Sequence, residues 1–138
     1  MEKIIKLRKF FKSYNLDGYI IPKNNNFFGE YVSESEDNLK YISNFTGSAG
    51  FAVILKNKNY MFVDGRYTIQ AGVQCGKEFQ ICNIPKDYPF NVFKNKNLNL
   101  GFDPKLHTEN SINRLFGNSL IKLKPVNKNL IDLLWKRE

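Results

Sequence analysis

"YISNFTGSAGFAVI", residues 41–54, sets two aromatics before a loop of small residues, Thr46-Gly47-Ser48-Ala49-Gly50, and then a run of strand formers. Its reading decides the fold, because a glycine loop serves either an anion or the chain's own geometry. A phosphate-binding loop needs GxxxxGK[ST] between a strand and a helix, so that backbone N–H groups and the helix dipole converge on the anion. Here the loop has no lysine, a strand follows it, and the GxGxxG spacing is absent. The loop is therefore geometric. Gly47 is expected to stop a helix, and Ala49 and Gly50 to let the chain pass close to another backbone.

The elements on either side follow from that reading. Upstream, residues 36–44 read as a short helix, opened by a capping box at Ser33-Glu34-Ser35-Glu36, with Leu39 and Ile42 on one side. Downstream, "FAVILKNKNYMFVD" reads as a β-hairpin around a Lys-Asn-Lys-Asn turn. Asp64 then caps a helix, "GRYTIQAGVQC", which Gly76 ends. Residues 2–14 form an amphipathic helix with Ile4, Leu7, Phe11 and Tyr14 on its apolar stripe; Asn15, Asp17 and Gly18 end it. "GYIIP" (18–22) is a buried strand, and "KNNNFFGEY" after it reads as a loop. "EFQIC" (78–82), "LNLGF" (98–102) and "LIKLKP" (120–125) are further strands, and 83–97 is loop-rich. Thr108 caps a helix carrying Ile112, Leu115 and Phe116, closed by Gly117. "NLIDLLWKRE" starts a last helix in mid-stride at Glu138, as at a domain border. This mixed order predicts one α/β domain, a mixed sheet with helices on its faces.

Composition bounds the function. The 138 residues carry a formal charge of +8, built from 17 Lys against 4 Arg, beside 18 Asn. Lysine excess without clustered arginine argues against nucleic acid as a partner. Cys75 and Cys82 form no CxxC and stand beside a single histidine, His107, so no zinc site is expected and both read as buried free thiols. His107 precedes a helix cap and is expected to be solvated. Charges interrupt every apolar run in "MEKIIKLRKFFK", so neither a signal peptide nor a membrane span is expected, and a cytoplasmic location follows.

"EYVSESEDNLKYISNFTGSAGFAVI" followed by "FVDGRYTIQA" resembles the N-terminal domain of the creatinase/prolidase family, of the Xaa-Pro aminopeptidase (aminopeptidase P) kind. "LGFDP" and the terminal "NLIDLLW" are similar to the family's later landmarks, so the resemblance covers nearly the whole chain. It implies a ribonuclease H-like mixed sheet and a catalytic domain downstream. In that domain two Asp, two Glu and one His hold two divalent metal ions, usually manganese, that activate water against the bond before proline. None of that machinery is expected in these residues, so the chain alone is expected to be inactive. The implied partners are its own C-terminal catalytic domain, a proline-containing peptide and a second copy of the parent enzyme. The domain would form one wall of the substrate cleft and restrict entry to short peptides. The resemblance assigns peptide contact to Arg66, in Asp64-Gly65-Arg66-Tyr67. Independently, a cation in the first turn of a helix opposes the dipole and needs a partner, and Asp64 is placed to be it and to orient Arg66 for substrate. Tyr67, with Tyr41 and Phe45, would line the cleft. The alternative is a non-catalytic module of the same fold that binds an acidic protein.

Overall fold

The computed structural model describes residues 2–23, 37–47, 50–84, 86–107, 109–116 and 120–135. Its centre is a six-stranded sheet in the order β4-β3-β2-β1-β5-β6. β1 (Gly18–Pro22) pairs antiparallel with β2 (Phe51–Leu55), which pairs antiparallel with β3 (Asn59–Asp64). β4 (Gln80–Ile84) joins β3, β5 (Asn99–Phe102) joins β1, and β6 (Lys122–Pro125) joins β5, each in parallel. Only β2 runs against the other five. The mixed, helix-flanked sheet expected from the sequence is therefore present.

The period of two along the strands divides two cores. Tyr19, Ile21, Ala52, Ile54, Met61 and Val63 face one side. There they meet α1 (Glu2–Tyr14), α2 (Asn38–Ser43), α3 (Thr68–Cys75) and α6 (Leu130–Leu134). Ile20, Val53, Tyr60, Phe62 and Leu100 face the other, against Phe93 after α4 (Pro89–Val92) and Ile112 and Phe116 of α5 (Glu109–Phe116). The predicted stripe of α1 holds: Ile4, Leu7 and Phe11 are buried, each stabilising the fold by about 2 kcal/mol. Asn15, in the left-handed region at φ 58°, ends that helix as expected.

α1 is also tied to the hairpin by polar bonds. Arg8 donates from Nε to the Leu55 carbonyl (2.7 Å) and from Nη2 to Asn59 Oδ1 (2.7 Å). At the far end of the chain, Asn129 caps α6 by accepting from the Ile131 N–H (2.9 Å) and donates to buried Asp103 (2.9 Å). The Leu130 N–H donates to the Tyr19 hydroxyl (3.3 Å). A buried polar network of this kind is stable because its members are satisfied together.

Several boundaries differ from the sequence reading. α2 ends at Asn44, left-handed at φ 68°, whose N–H bonds the Lys40 carbonyl; Gly47 is not its stop. Its N-cap is Asp37, which accepts from the Lys40 N–H (3.1 Å). The expected capping box at 33–36, the loop from Asn24, the Thr108 cap and the Gly117 stop lie outside the described residues. The "GRYTIQAGVQC" segment divides into a tight 3₁₀ turn, Gly65–Tyr67, and then α3. A second 3₁₀ turn, Gly76–Glu78, displaces β4 two residues beyond its expected start. Within the loop-rich 83–97, Pro89 opens the short α4, because its missing N–H and fixed φ suit a first helical position. α6 is not cut in mid-stride: it stops at Leu134, and Trp135 turns extended.

Candidate functional site

Parallel strands gather their carboxyl ends on one side of a sheet, where α/β domains place their ligands. β1 and β3 end there, and β2 begins there, with Phe51 opposite both Pro22 and Phe62. The Lys23 N–H continues the ladder to the Gly50 carbonyl (3.1 Å). The small-residue loop before β2 and the Asp64–Tyr67 turn after β3 therefore share one end of the sheet, although the hairpin separates them in sequence. Lys23 also forms a buried ion pair with Asp37, so both oxygens of that carboxylate are engaged.

Phe45 joins the two segments. Its ring is completely buried and meets Tyr67 edge-on at a centroid distance of 6.2 Å. A Cβ at Gly47 would lie 2.2 Å from its Cζ, and one at Gly50 3.2 Å from its Cε2 and 3.1 Å from the Phe62 carbonyl oxygen. Gly50 also has φ 153°, a conformation that side chains resist. The loop thus fits around Phe45, which answers why it is glycine-rich. Thr46 clips the loop to α3: its N–H donates to Gln74 Oε1 (2.9 Å), and its Oγ1 accepts from Gln70 (3.1 Å) and Gln74 (2.8 Å).

At the rim of this assembly stand Asp64 and Arg66. Asp64 Oδ1 accepts from the Arg66 N–H (2.9 Å) and from its Nε (3.2 Å). Those contacts, the backbone N–H first and the guanidinium second, hold the Asp64 carboxyl below the usual carboxylate range. The expected partnership is therefore present, on a 3₁₀ turn rather than an α-helical one. The Arg66 side chain is nonetheless 78 % exposed, and its guanidinium lies over the Tyr67 ring at 5.5 Å. Among the described residues its Nη groups take no partner. A guanidinium held at Nε and open at Nη can present a two-pronged donor to a carbonyl or carboxylate.

Tyr67 is half-buried and packs on the core as a platform beneath Arg66. Phe45 cannot line a cleft, because it is wholly inside; its aromatic type signalled packing. Tyr41 belongs to a different group, stacked on Trp135 at 4.5 Å with Lys3 over its ring at 4.1 Å. The Thr46–Gln70–Gln74 clip was missed by sequence reasoning, since nothing local pairs a threonine with amides 24 and 28 residues away. Cys75 and Cys82 are buried free thiols, each pushed up to about 11 by burial.

His107 departs from its expected solvated state. Its ring packs edge-on to Phe102 at 5.8 Å, and its buried Nε2 finds no partner among the described residues. Burial pushes the imidazole down to about 4. The unfolded chain, titrating near 6.5, binds the proton first as pH falls. Stability is therefore full above about 6.5 and is lost down to about 4, by up to about 3 kcal/mol. Urea denaturation at pH 7 and pH 4.5 should show this loss, and His107→Gln should flatten it.

No group of three or more His, Cys, Asp or Glu among the described residues could hold a metal ion. No described helix is long and apolar enough to cross a membrane. The fold and site thus define an α/β domain that presents one arginine at the carboxyl end of its sheet, with no ligating cluster of its own among the described residues. The chain belongs to the creatinase/prolidase N-terminal domain family, whose model matches residues 3–131. It is 32 % identical over 146 residues to a probable Xaa-Pro aminopeptidase P of Coprinopsis cinerea, covering 99 % of this chain and 24 % of that protein. Among solved structures it is similar to the X-prolyl aminopeptidase of Caenorhabditis elegans, described as a cytosolic enzyme with a di-nuclear active site. That match has a TM-score of 0.84 at 25 % identity, over 97 % of this chain and 25 % of that one. The N-terminal domain of the cytoplasmic peptidase PepQ from Mycobacterium tuberculosis shares the fold alone, with a TM-score of 0.74 at 19 % identity, over 97 % of this chain and 98 % of that one. The chain therefore spans about a quarter of the length of the longer relatives it matches.

Proposed function

We propose that the chain serves as the accessory N-terminal domain of a cytosolic Xaa-Pro aminopeptidase that removes the residue before proline. Its role is to form one wall of the substrate cleft. Arg66, oriented by Asp64 and seated on Tyr67, binds a backbone carbonyl or carboxylate of the peptide. The observation that carries the reading is Arg66 itself: anchored at Nε, exposed and open at Nη, on the motif the sequence singled out.

Metal chemistry belongs to a catalytic domain elsewhere in the polypeptide. The described residues hold no donor cluster that would fit two divalent ions, manganese or other. The worm relative's di-nuclear site and the chain's share of its relatives' length support that division. A homodimer of the parent enzyme fits the same reading.

The test is the native gene product, immunoprecipitated from source cells with an antibody to this domain. The expected result is a polypeptide far heavier than 16.1 kDa that releases the first residue of an Xaa-Pro peptide and loses activity to a chelator. A product near 16.1 kDa without that activity would overturn the reading.

A further inference from the structure

Among the described residues, nothing covers the outer face of α3. Ile69 is 84 % exposed and Val73 79 %, the two most exposed large apolar side chains among the described residues. They lie four residues apart on one helix, so they are neighbours on one face, and the 3₁₀ turn that carries Arg66 leads directly into that helix. Between Ile69 and Val73 sits Gly72. Its φ is negative, and a Cβ added there would meet nothing within 4 Å. Neither conformation nor internal packing requires this glycine, and alanine would favour the helix. β-branched residues on a solvent face are likewise poor helix choices. An apolar strip about 10 Å long thus runs from residue 69 to Gly76, which ends α3 at φ 74°, and at Ile69, Gly72 and Val73 it is maintained against local propensity.

The strip is also held firmly from behind. Ala71 and Cys75 are buried on the inner side of α3, and Gln70 and Gln74 bond Thr46. A rigid, side-chain-poor apolar strip suits close approach by another packed surface.

We propose that the Ile69–Gly72–Val73–Gly76 strip of α3 is the face on which the catalytic domain of the same polypeptide docks. This rests on the reading of the chain as one part of a longer peptidase. Three observations favour that occupant. The worm enzyme and the fungal relative each carry about three-quarters of their length outside the part that matches this chain. The strip begins three residues after Arg66, so a domain seated on it lies close to the turn that presents that guanidinium. The absent side chains at Gly72 and Gly76 leave room for a partner's side chains to reach the helix backbone.

The test uses Val73→Cys, in the 138-residue chain and in the longer native polypeptide, labelled with a maleimide. The native thiols, buried and poorly ionised, react slowly in both. Position 73 should label at least about tenfold more slowly in the longer polypeptide. Gly72→Leu should restore fast labelling there by wedging the face open. Gly72→Ala should raise the melting temperature of the 138-residue chain by about 4 °C. Equal labelling rates in the two proteins would overturn the proposal, as would a native product no longer than this chain. Slowing that appears only on addition of an Xaa-Pro peptide would overturn it in favour of substrate as the occupant. Labelling reads burial and not turnover. Slow labelling together with normal turnover by an Arg66→Ala enzyme would therefore reject the role of Arg66 and leave the docking face standing.

Discussion

Arg66→Ala, made in the longer polypeptide, is expected to lower kcat/KM for an Xaa-Pro peptide by about 10- to 100-fold, the span of one or two charge-assisted hydrogen bonds. Bound metal and melting temperature should not change. The side chain is mostly in water, and its ion pair with Asp64 lies at the rim. Arg66→Lys should recover only part of the loss, because an ammonium keeps the charge but not the fork. Asp64→Asn should fall between, since it frees the guanidinium to wander without removing it. A purely structural Arg66 would instead lower the melting temperature of the 138-residue chain and leave kcat/KM of the folded enzyme intact.

Gly47→Ala is expected to destabilise the domain by about 3 kcal/mol, the upper range for overpacking a filled core. The new Cβ would fall 2.2 Å from Phe45 Cζ and 2.8 Å from both Cε atoms. The ring cannot yield, because it is completely buried and braced against Tyr67. A melting temperature roughly 10 °C lower is the corresponding shift. Any displacement of Phe45 passes to Tyr67 and so to the seat of Arg66. An unchanged melting temperature would show that the ring has room and that this glycine is dispensable. Gly47→Ala and Gly72→Ala thus carry opposite signs: one methyl meets a ring and the other meets open space.

The strands that bury both faces were legible in the sequence because they carry unbroken apolar runs. "GYIIP", "FAVIL" and "NYMFVD" each left only one chemically sensible state; of the expected Lys-Asn-Lys-Asn turn, Lys56–Lys58 makes the connection and Asn59 already belongs to β3. β4 was less legible. Glu78 and Phe79 look like the start of a strand, but Gly76–Glu78 first completes a 3₁₀ turn, which has no distinctive composition. The end of α2 was misassigned for a related reason: Asn44 and Gly47 both tolerate left-handed backbone, and the glycine is needed three residues later for packing. In the site, the Asp64–Arg66 pair could be read from spacing because it is local. The contact of Phe45 with Tyr67 and the amide clip on Thr46 join segments more than twenty residues apart, and only the register of the sheet brings them together.

α1 and α6, the first and last described helices, cover one another. Leu130 and Ile131 of α6 belong to the same core as Ile4, Leu7 and Phe11 of α1, and the α6 backbone supplies the partner of the Tyr19 hydroxyl. Synthesis on the ribosome releases α1 long before α6. The apolar stripe of α1 emerges first and can meet β1 and the hairpin early, but the part that α6 covers stays open until residue 130 has left the exit tunnel. No stable intermediate ending before residue 130 can bury that stripe in the native way. The native cover of the α1 stripe is therefore completed only when α6 joins it.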